Sequence, residues 1–493
     1  MTKHGRADRW RGEAAWRVAR LPGWLRGLSL AAGLALLSAC SSVRPWINVP
    51  LQPHQLQAMH VNETRDPSLV MAVTISGGGA RAAAFGYGVL RELEDHQFDW
   101  NGKRLTLLDA TDLVSGVSGG AIVASYYAAF GRHGLPRFEP DFLRQDFQQS
   151  VLGQLMRPGN LHDLSSPWFG RSHLLARRLD ELYQGKTFGD LLKDPRHPQL
   201  IVTAMELSRG TGFEFTWDQF SLICSDLAQV PLSFAVAASS AVPVALSPLT
   251  LKNHAHSCPP DMGERLLARS DKESAGLADH RRRLYRAQAE SYLNAIARPY
   301  IHLVDGGLAD NLGVQRLLDR ALMDGGLRQT FREVSIPPGS VRKVVLVVVN
   351  AAREPTRDID ASDTLPSVFD VAETLLFGAG ARATRSTQEF LHDVIRQWRQ
   401  ELASGAGSSH VDAFAPNADI HVVMVNLSDV PIEQRRRLLR VSTALTLPQD
   451  EVTELVRAGR EVLRYSPDFQ ALVRDLGARA VPPPGAAVEP PPH

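Results

Sequence analysis

The stretch that decides the fold is Leu69-Val70-Met71-Ala72-Val73-Thr74-Ile75, which ends abruptly at Ser76-Gly77-Gly78-Gly79. A short, continuous apolar run bounded by glycine is typical of a parallel strand that is buried on both faces. The residues that follow, Ala80 to Glu94, are mostly strong helix formers. The stretch therefore predicts a strand, a glycine loop and a helix, which together are the repeating unit of an α/β sheet.

Further strands and helices follow outward from this unit. A second short strand, Leu113-Val114-Ser115, leads into Gly116-Val117-Ser118-Gly119-Gly120 and then into a helical stretch over 121–130. More apolar runs predict strands at 200–205, 300–304, 343–349 and 420–425. Strands that alternate with helices predict an α/β fold with a largely parallel central sheet.

Length and composition narrow the class of protein. The 493 residues carry 54 Lys and Arg against 53 Asp and Glu, and 44% of the residues are hydrophobic. Such a chain can bury a large core, so it does not belong to the disordered proteins. Because neither sign of charge dominates, nothing in the bulk charge indicates a nucleic-acid partner.

The three cysteines exclude a disulfide-rich scaffold and a structural zinc cluster. Two of them, Cys224 and Cys258, lie in the predicted domain. In an oxidising compartment they could form a disulfide bond, or they could remain separate buried thiols. The sequence leaves both alternatives open, since it does not place their Cα atoms.

The N-terminus is typical of a bacterial lipoprotein signal peptide. Residues 1–26 hold seven basic and two acidic residues, and an uncharged apolar stretch follows from Leu28 to Leu37. About ten apolar residues are too few to span a bilayer as a helix. Leu37-Ser38-Ala39-Cys40 resembles a lipobox, in which Cys40 is acylated and becomes the first residue of the mature chain. An ordinary signal peptide and a cytosolic apolar helix are the alternatives, and Ser41 favours the outer membrane of a bacterial envelope.

These patterns divide the chain into a leader, a tether and one large domain. We expect a signal peptide at 1–39, a tether at 40–67 and an α/β domain at 68–465. Helical insertions are predicted at about 259–299 and 355–418. Residues 466–493 are predicted to be a tail, which is proline-rich and disordered from 481.

The glycine loop after the first strand has the chemistry of an anion or oxyanion site. Consecutive glycines allow backbone N–H groups to approach a ligand closely, and the next helix adds positive charge at its N-terminus. The predicted oxyanion hole consists of Gly77, Gly78, Gly79 and Ala80. The loop lacks the third glycine of a dinucleotide fingerprint and the lysine of a P-loop, so it indicates no nucleotide cofactor.

Two further motifs follow predicted strands. In the G-x-S-x-G pattern, Gly116 and Gly120 leave room for a tight turn that exposes the Ser118 hydroxyl. Asp305-Gly306-Gly307 can direct a carboxylate towards Ser118, although it can equally form a plain Asp-Gly-Gly turn. A Ser-His-Asp triad is an alternative, and His302 is then the histidine to test. Because side chains alternate along a strand, His302 should point away from the site.

Three motifs, taken in their order along the chain, resemble those of the patatin-like phospholipases. They are Gly77-Gly78-Gly79-x-Arg81, Gly116-x-Ser118-x-Gly120 and Asp305-Gly306-Gly307. Residues 238–243 (Ala-Ser-Ser-Ala-Val-Pro) and Asp310-Asn311 resemble supporting stretches of that family, and 445–460 is similar to its bacterial branch. The resemblance implies a three-layer α/β fold and a Ser118–Asp305 dyad without histidine. Ser76 and Ala82 depart from the usual Asp and Gly. Arg81 either braces the loop, meets a phosphate or is an ordinary structural arginine.

The resemblance also implies a function. It implies a membrane-anchored serine lipid acyl hydrolase, with Asp305 as general base and Ser118 as nucleophile, acting on a phospholipid or another lipid ester. No metal or cofactor is implied, and the oligomeric state stays open. The alternative is a non-catalytic, membrane-tethered binding or assembly lipoprotein that retains the fold. Leu152, Leu155, Met156, Trp168 and Phe169 either line an entrance for an acyl chain or belong to the core.

Overall fold

The computed structural model describes residues 43–45, 48–52, 65–194, 196–259, 261–268, 277–333, 336–353, 363–365, 367–404 and 412–481. The predicted signal peptide, Cys40 and the proline-rich end from residue 482 lie outside these ranges, as does most of the predicted tether. Within the ranges, no helix is long and apolar enough to cross a bilayer.

A largely parallel sheet forms the centre of the molecule, as predicted. The strands are β1 (Leu69–Ile75), β2 (His96–Trp100), β3 (Lys103–Thr106), β4 (Leu113–Val117), β5 (Gln199–Glu206), β6 (Thr211–Glu214), β7 (Leu249–Lys252), β8 (Tyr300–Val304), β9 (Val341–Asn350), β10 (Phe414–Asn426) and β11 (Arg479–Ala480). The main sheet has the order β10-β9-β1-β4-β5-β8-β7, and β6 pairs with β5. Its strands from β10 to β5 run parallel, whereas β6, β7 and β8 pair antiparallel. Strands β11, β2 and β3 form a small second sheet.

Helices surround the sheet. They are α1 (Gly79–Glu94), α2 (Gly119–Gly134), α3 (Phe147–Leu155), α4 (Pro158–Asp163), α5 (Arg171–Tyr183), α6 (Phe188–Leu191), α7 (Trp217–Leu222), α8 (Leu232–Ser239), α9 (Met262–Ala268), α10 (Leu277–Leu293), α11 (Gln315–Asp324), α12 (Leu327–Glu333), α13 (Val368–Ser404), α14 (Ile432–Leu438), α15 (Gln449–Tyr465) and α16 (Pro467–Leu476).

Two hydrophobic clusters on opposite faces of the sheet produce three layers. Successive side chains of β9 alternate between the faces. The larger cluster, which includes residues of α1, α2 and α15, takes Val345, Val347 and Val349. The smaller cluster, which includes residues of α11, α12 and α13, takes Val344, Leu346 and Val348. The predicted three-layer α/β fold is therefore confirmed.

Strand β8 brings the Asp305 motif close to the Ser118 motif. It runs antiparallel to β5, with Val304 opposite Met205. On the other side of β5, Val117 at the end of β4 lies opposite Thr203. The carboxyl ends of β4 and β8 therefore meet near the same point of β5, although the two strands run in opposite directions. Ser118 and Asp305 are the next residues along the chain.

Helices α1 and α15 cross at close range because each has a glycine at the contact. A Cβ atom at Gly88 would overlap the carbonyl group of Val456, and one at Gly459 would overlap that of Phe85. The buried Glu92 accepts two hydrogen bonds from Arg464, at 2.8 and 2.7 Å. These contacts hold α1, which begins in the glycine loop, against the rest of the outer layer.

The packed domain continues beyond residue 465, the end that the sequence pattern predicts. Phe469, Leu472 and Leu476 of α16 are buried in the larger cluster. Strand β11 then pairs antiparallel with β2. The predicted tail therefore begins too early, because three apolar residues on one helical face are enough to dock α16.

The two predicted insertions differ in what they contribute. Region 259–299 contains α9 and α10. Region 355–418 contains α13, whose Leu391, Val394 and Trp398 are buried in the smaller cluster, and the start of β10. The second region is therefore part of the third layer of the fold.

Cys224 and Cys258 form a disulfide bond, with their Cα atoms 5.5 Å apart. Leu51 of the N-terminal segment donates its N–H group to the carbonyl oxygen of Cys224 at 2.8 Å. Of the two alternatives, a disulfide bond or two separate buried thiols, the structure shows the disulfide bond. The contact of Leu51 also places part of the predicted tether against the domain.

Candidate active site

Ser118 lies in a tight turn between β4 and α2. Its backbone has φ 50° and ψ −121°, a conformation that residues other than glycine rarely adopt. A Cβ atom at Gly116 would overlap the backbone of Ala121, and one at Gly120 would overlap the carbonyl groups of Ile75 and Ser76. The glycines on both sides of the serine are therefore what the turn requires.

Asp305 is hydrogen-bonded to Ser118. The Ser118 hydroxyl donates to Oδ2 of Asp305 at 3.0 Å, and both residues are buried. The other oxygen, Oδ1, accepts from the N–H group of Gly307 at 2.8 Å. Burial raises the pKa of Asp305 to about 6, although the hydrogen bonds from Gly307 and Ser118 favour the ionised form. A Cβ atom at Gly306 would overlap the carbonyl of Thr203, so the turn passes directly over β5.

The segment that ends α8 holds both of these residues. Oγ of Ser239 accepts from the backbone N–H group of Ser118 at 2.7 Å and donates to the carbonyl of Thr203 at 2.6 Å. Two residues further on, the carbonyl of Ala241 accepts from the N–H group of Asp305 at 3.0 Å. Ser239 and Ala241 therefore set the separation of the serine and the aspartate. In the sequence this stretch is indicated only by the family resemblance, since contacts between residues that are far apart in the chain leave no local signal.

The glycine loop lies against the serine turn, but only part of it can donate to a ligand. The N–H group of Gly77 donates to the carbonyl of Asn311 at 3.0 Å, and that of Ala80 donates to the carbonyl of Ala444 at 2.7 Å. Of the four predicted oxyanion donors, these two are engaged in holding the loop. The other two predicted donors, Gly78 and Gly79, have φ values of 143° and 60°, which belong to the region that favours glycine.

Arg81 braces the loop from inside the protein. The side chain is buried, and its Nε donates to the carbonyl of Ala351 at 3.0 Å, while Nη1 donates to that of Val441. Burial lowers its pKa to about 9. Ser76, which stands where the family usually has Asp, accepts from the N–H group of Ala351 at 2.8 Å. Both side chains therefore tie the loop to the end of β9, and Arg81 does not face a ligand.

The residues after Asp305 build the rest of the turn. The Asp310 carboxylate accepts from the N–H groups of Gly313 and Gln315, at 3.1 and 2.8 Å, and burial raises its pKa to about 7. Helix α13 covers this turn, since a Cβ atom at Gly380 would lie 3.2 Å from the carbonyl of Gly307. One wall of the site is therefore α13, which belongs to the region 355–418 that the sequence predicts to be an insertion.

His302 lies away from the site, as the alternation of the strand predicted. It is exposed, and its Nδ1 is 2.8 Å from Oγ1 of Thr250 on the neighbouring strand β7. In the described part of the chain, no group of three or more His, Cys, Asp or Glu side chains is arranged to hold a metal ion. The predicted lipidation site, Cys40, is outside the described residues.

Comparisons with known proteins give one family match and several similar solved structures. The family model described as patatin-like phospholipase matches residues 73–318, a range that includes the glycine loop, Ser118 and Asp305. None of the curated proteins matches the chain. Among solved structures, it is similar to human GIVD cytosolic phospholipase A2, with 11% identity and a TM-score of 0.43 over 84% of this chain and 63% of that one. It is also similar to VipD from Legionella pneumophila, with 12% identity and a TM-score of 0.28 over 85% of this chain and 71% of that one. The chain thus spans less than two thirds of the human enzyme's length.

Proposed function

The chain belongs to the patatin-like phospholipase family through residues 73–318, and on this premise we propose that it is a serine lipid acyl hydrolase that uses Ser118 and Asp305. The family supports lipid acyl hydrolase activity in general. The observation that carries the specific proposal is the 3.0 Å hydrogen bond from the Ser118 hydroxyl to a buried Asp305 carboxylate.

The proposed mechanism is acyl transfer through the serine. Asp305 accepts the proton of Ser118 as Oγ attacks the ester carbonyl, and the N–H groups of Gly78 and Gly79 stabilise the oxyanion. Collapse of the tetrahedral intermediate breaks the ester bond, and the alcohol leaves with the proton held by Asp305. Water, deprotonated by Asp305, then attacks the acyl-enzyme, which releases the fatty acid and restores Ser118.

We also propose that the substrate is a phospholipid or another membrane lipid ester, and that Cys40 anchors the protein in the bacterial outer membrane. The basic and apolar segments before Cys40 support this location. The Cys224–Cys258 disulfide bond supports an oxidising compartment such as the periplasm. A chain that is tethered to a bilayer has its substrate within reach.

A fluorophosphonate probe tests the dyad on the full-length protein. The wild type should be labelled covalently and should hydrolyse phospholipid, and Ser118→Ala should lose both. Asp305→Asn keeps the size of the side chain but removes the base, so turnover should fall about 10²–10⁴-fold. His302→Gln is the matched control, and it should keep most of the activity.

The possible outcomes separate the alternatives. Collapse of activity in a folded His302→Gln variant would replace the dyad with a triad. An unlabelled, inactive wild type that still binds lipid vesicles would favour the non-catalytic binding or assembly protein.

A further inference from the structure

The stretch that contains helices α3 and α4 exposes several large apolar side chains and buries two polar ones. Four large apolar side chains between residues 147 and 169 are exposed: Leu152 (49%), Met156 (79%), Leu161 (55%) and Trp168 (38%). The polar Gln154 and Asn160 of the same stretch are buried, and Nδ2 of Asn160 donates to the backbone carbonyl of Gln154 at 2.7 Å. A surface helix in water normally has the opposite pattern. We call the four exposed side chains the apolar face.

The described residues that are nearest to Cys40 in the sequence contact this face. The carbonyl of Val43 accepts from the Ser166 hydroxyl at 2.7 Å, and the Arg44 guanidinium lies 4.6 Å from the centre of the Trp168 ring. Cys40 is three residues before Val43. Because three residues span at most about 10 Å, an acyl group on Cys40 would enter a bilayer close to the apolar face.

The apolar face also adjoins the segment that positions the dyad. Arg171, at the start of α5, donates to the carbonyl of Val244 at 2.8 Å. Val244 is exposed, and it follows Ala241, whose carbonyl holds the N–H group of Asp305, by three residues. A bilayer against the apolar face would therefore lie next to the exposed end of this segment.

From these three observations we propose that Leu152, Met156, Leu161 and Trp168 insert into the surface of the phospholipid bilayer that anchors Cys40. The face and the anchor act as two attachment points, which together orient the domain on its substrate membrane. Two attachment points hold a protein at a bilayer more firmly than one, because each adds buried apolar area. The inference rests on the proposed function and on the proposed acylation of Cys40.

Activity on two substrates tests the proposal in the full-length, membrane-extracted protein. Met156→Glu with Leu161→Glu should lower hydrolysis of phosphatidylethanolamine–phosphatidylglycerol vesicles about tenfold or more, because charged side chains resist insertion. Hydrolysis of a soluble short-chain p-nitrophenyl ester should stay unchanged. Ile432→Glu, at a site on α14 that is 74% exposed, is the matched control and should change neither rate. Equal vesicle rates for the double variant and the wild type would overturn the proposal.

A second measurement does not depend on catalysis, so it separates failure of this inference from failure of the proposed function. A spin label on Met156→Cys should become protected from an aqueous nickel chelate when the protein is bound to the same vesicles, and a label on Ile432→Cys should stay accessible. Equal accessibility of both labels on vesicles would overturn the proposal. The label on Met156→Cys could also be fully protected from the nickel chelate in the absence of lipid. That result would assign the apolar face to a protein partner and would overturn the proposal.

Discussion

At the scale of single residues, the buried carboxylate of Asp305 sets the expected pH dependence. Burial raises its pKa to about 6, and only the ionised form can take the proton of Ser118. We therefore expect kcat/KM on a soluble ester to be low below this pKa, to rise as the pH passes through about 6 and then to level off. A pH–rate profile of the wild type measures this directly.

Asp305→Asn provides the comparison for this prediction. The residual activity of that variant should show no inflection near pH 6, since the titrating group has been removed. An activity that falls as the pH rises through this range would contradict the assignment of Asp305 as a base.

At the scale of elements, the end of α8 offers two adjacent serines with different surroundings. Oγ of Ser239 accepts from the N–H group of Ser118, whereas Oγ of Ser240 is buried without a hydrogen-bond partner in the described part of the chain. Ser239→Ala leaves a buried N–H group unpaired, which costs about 1–3 kcal/mol. If this cost falls on the transition state, kcat should drop about 10- to 100-fold with little change in KM.

Ser240→Ala is the matched control for this element. It removes a hydroxyl of the same size one residue away, and it should leave kcat and the melting temperature close to those of the wild type. A similar loss of kcat in both variants would show that the end of α8 matters for packing alone. Steady-state kinetics and thermal unfolding of the two variants decide between these outcomes.

At the scale of the whole molecule, the Cys224–Cys258 disulfide bond closes a loop with a sequence separation of 34 residues. A bond of this kind contributes about 2–4 kcal/mol to the free energy of unfolding, chiefly by restricting the unfolded chain. We expect Cys224→Ser with Cys258→Ser to lower the free energy of unfolding by about this amount. Urea denaturation with and without a reductant measures the effect.

Reduction provides an internal control for this prediction. Dithiothreitol should destabilise the wild type and should leave the double variant unchanged. Titration of two free thiols in the denatured, unreduced wild type would contradict the bond. A destabilised N-terminal segment is expected as well, because Leu51 is hydrogen-bonded to Cys224.

The sequence by itself determined the features that depend on neighbouring residues. Strand β1, the glycine loop and α1 follow from an apolar run, three glycines and a series of helix formers. The turn at Ser118 follows from glycines two residues away on each side, because its backbone conformation leaves no room for larger side chains there. The His302 side chain points away from the site because successive side chains of a strand alternate between its two faces.

Only the tertiary structure decided the features that join distant parts of the chain. Ser118 is separated by 187 residues from Asp305 and by 121 from Ser239, and their contacts depend on the antiparallel entry of β8 and on the end of α8. The loss of Gly77 and Ala80 as oxyanion donors depends on carbonyls of Asn311 and Ala444. A local sequence pattern indicates which backbone N–H groups can donate a hydrogen bond. The acceptor of each N–H group depends on tertiary packing, because hydrogen bonds form between the groups that the fold brings within reach.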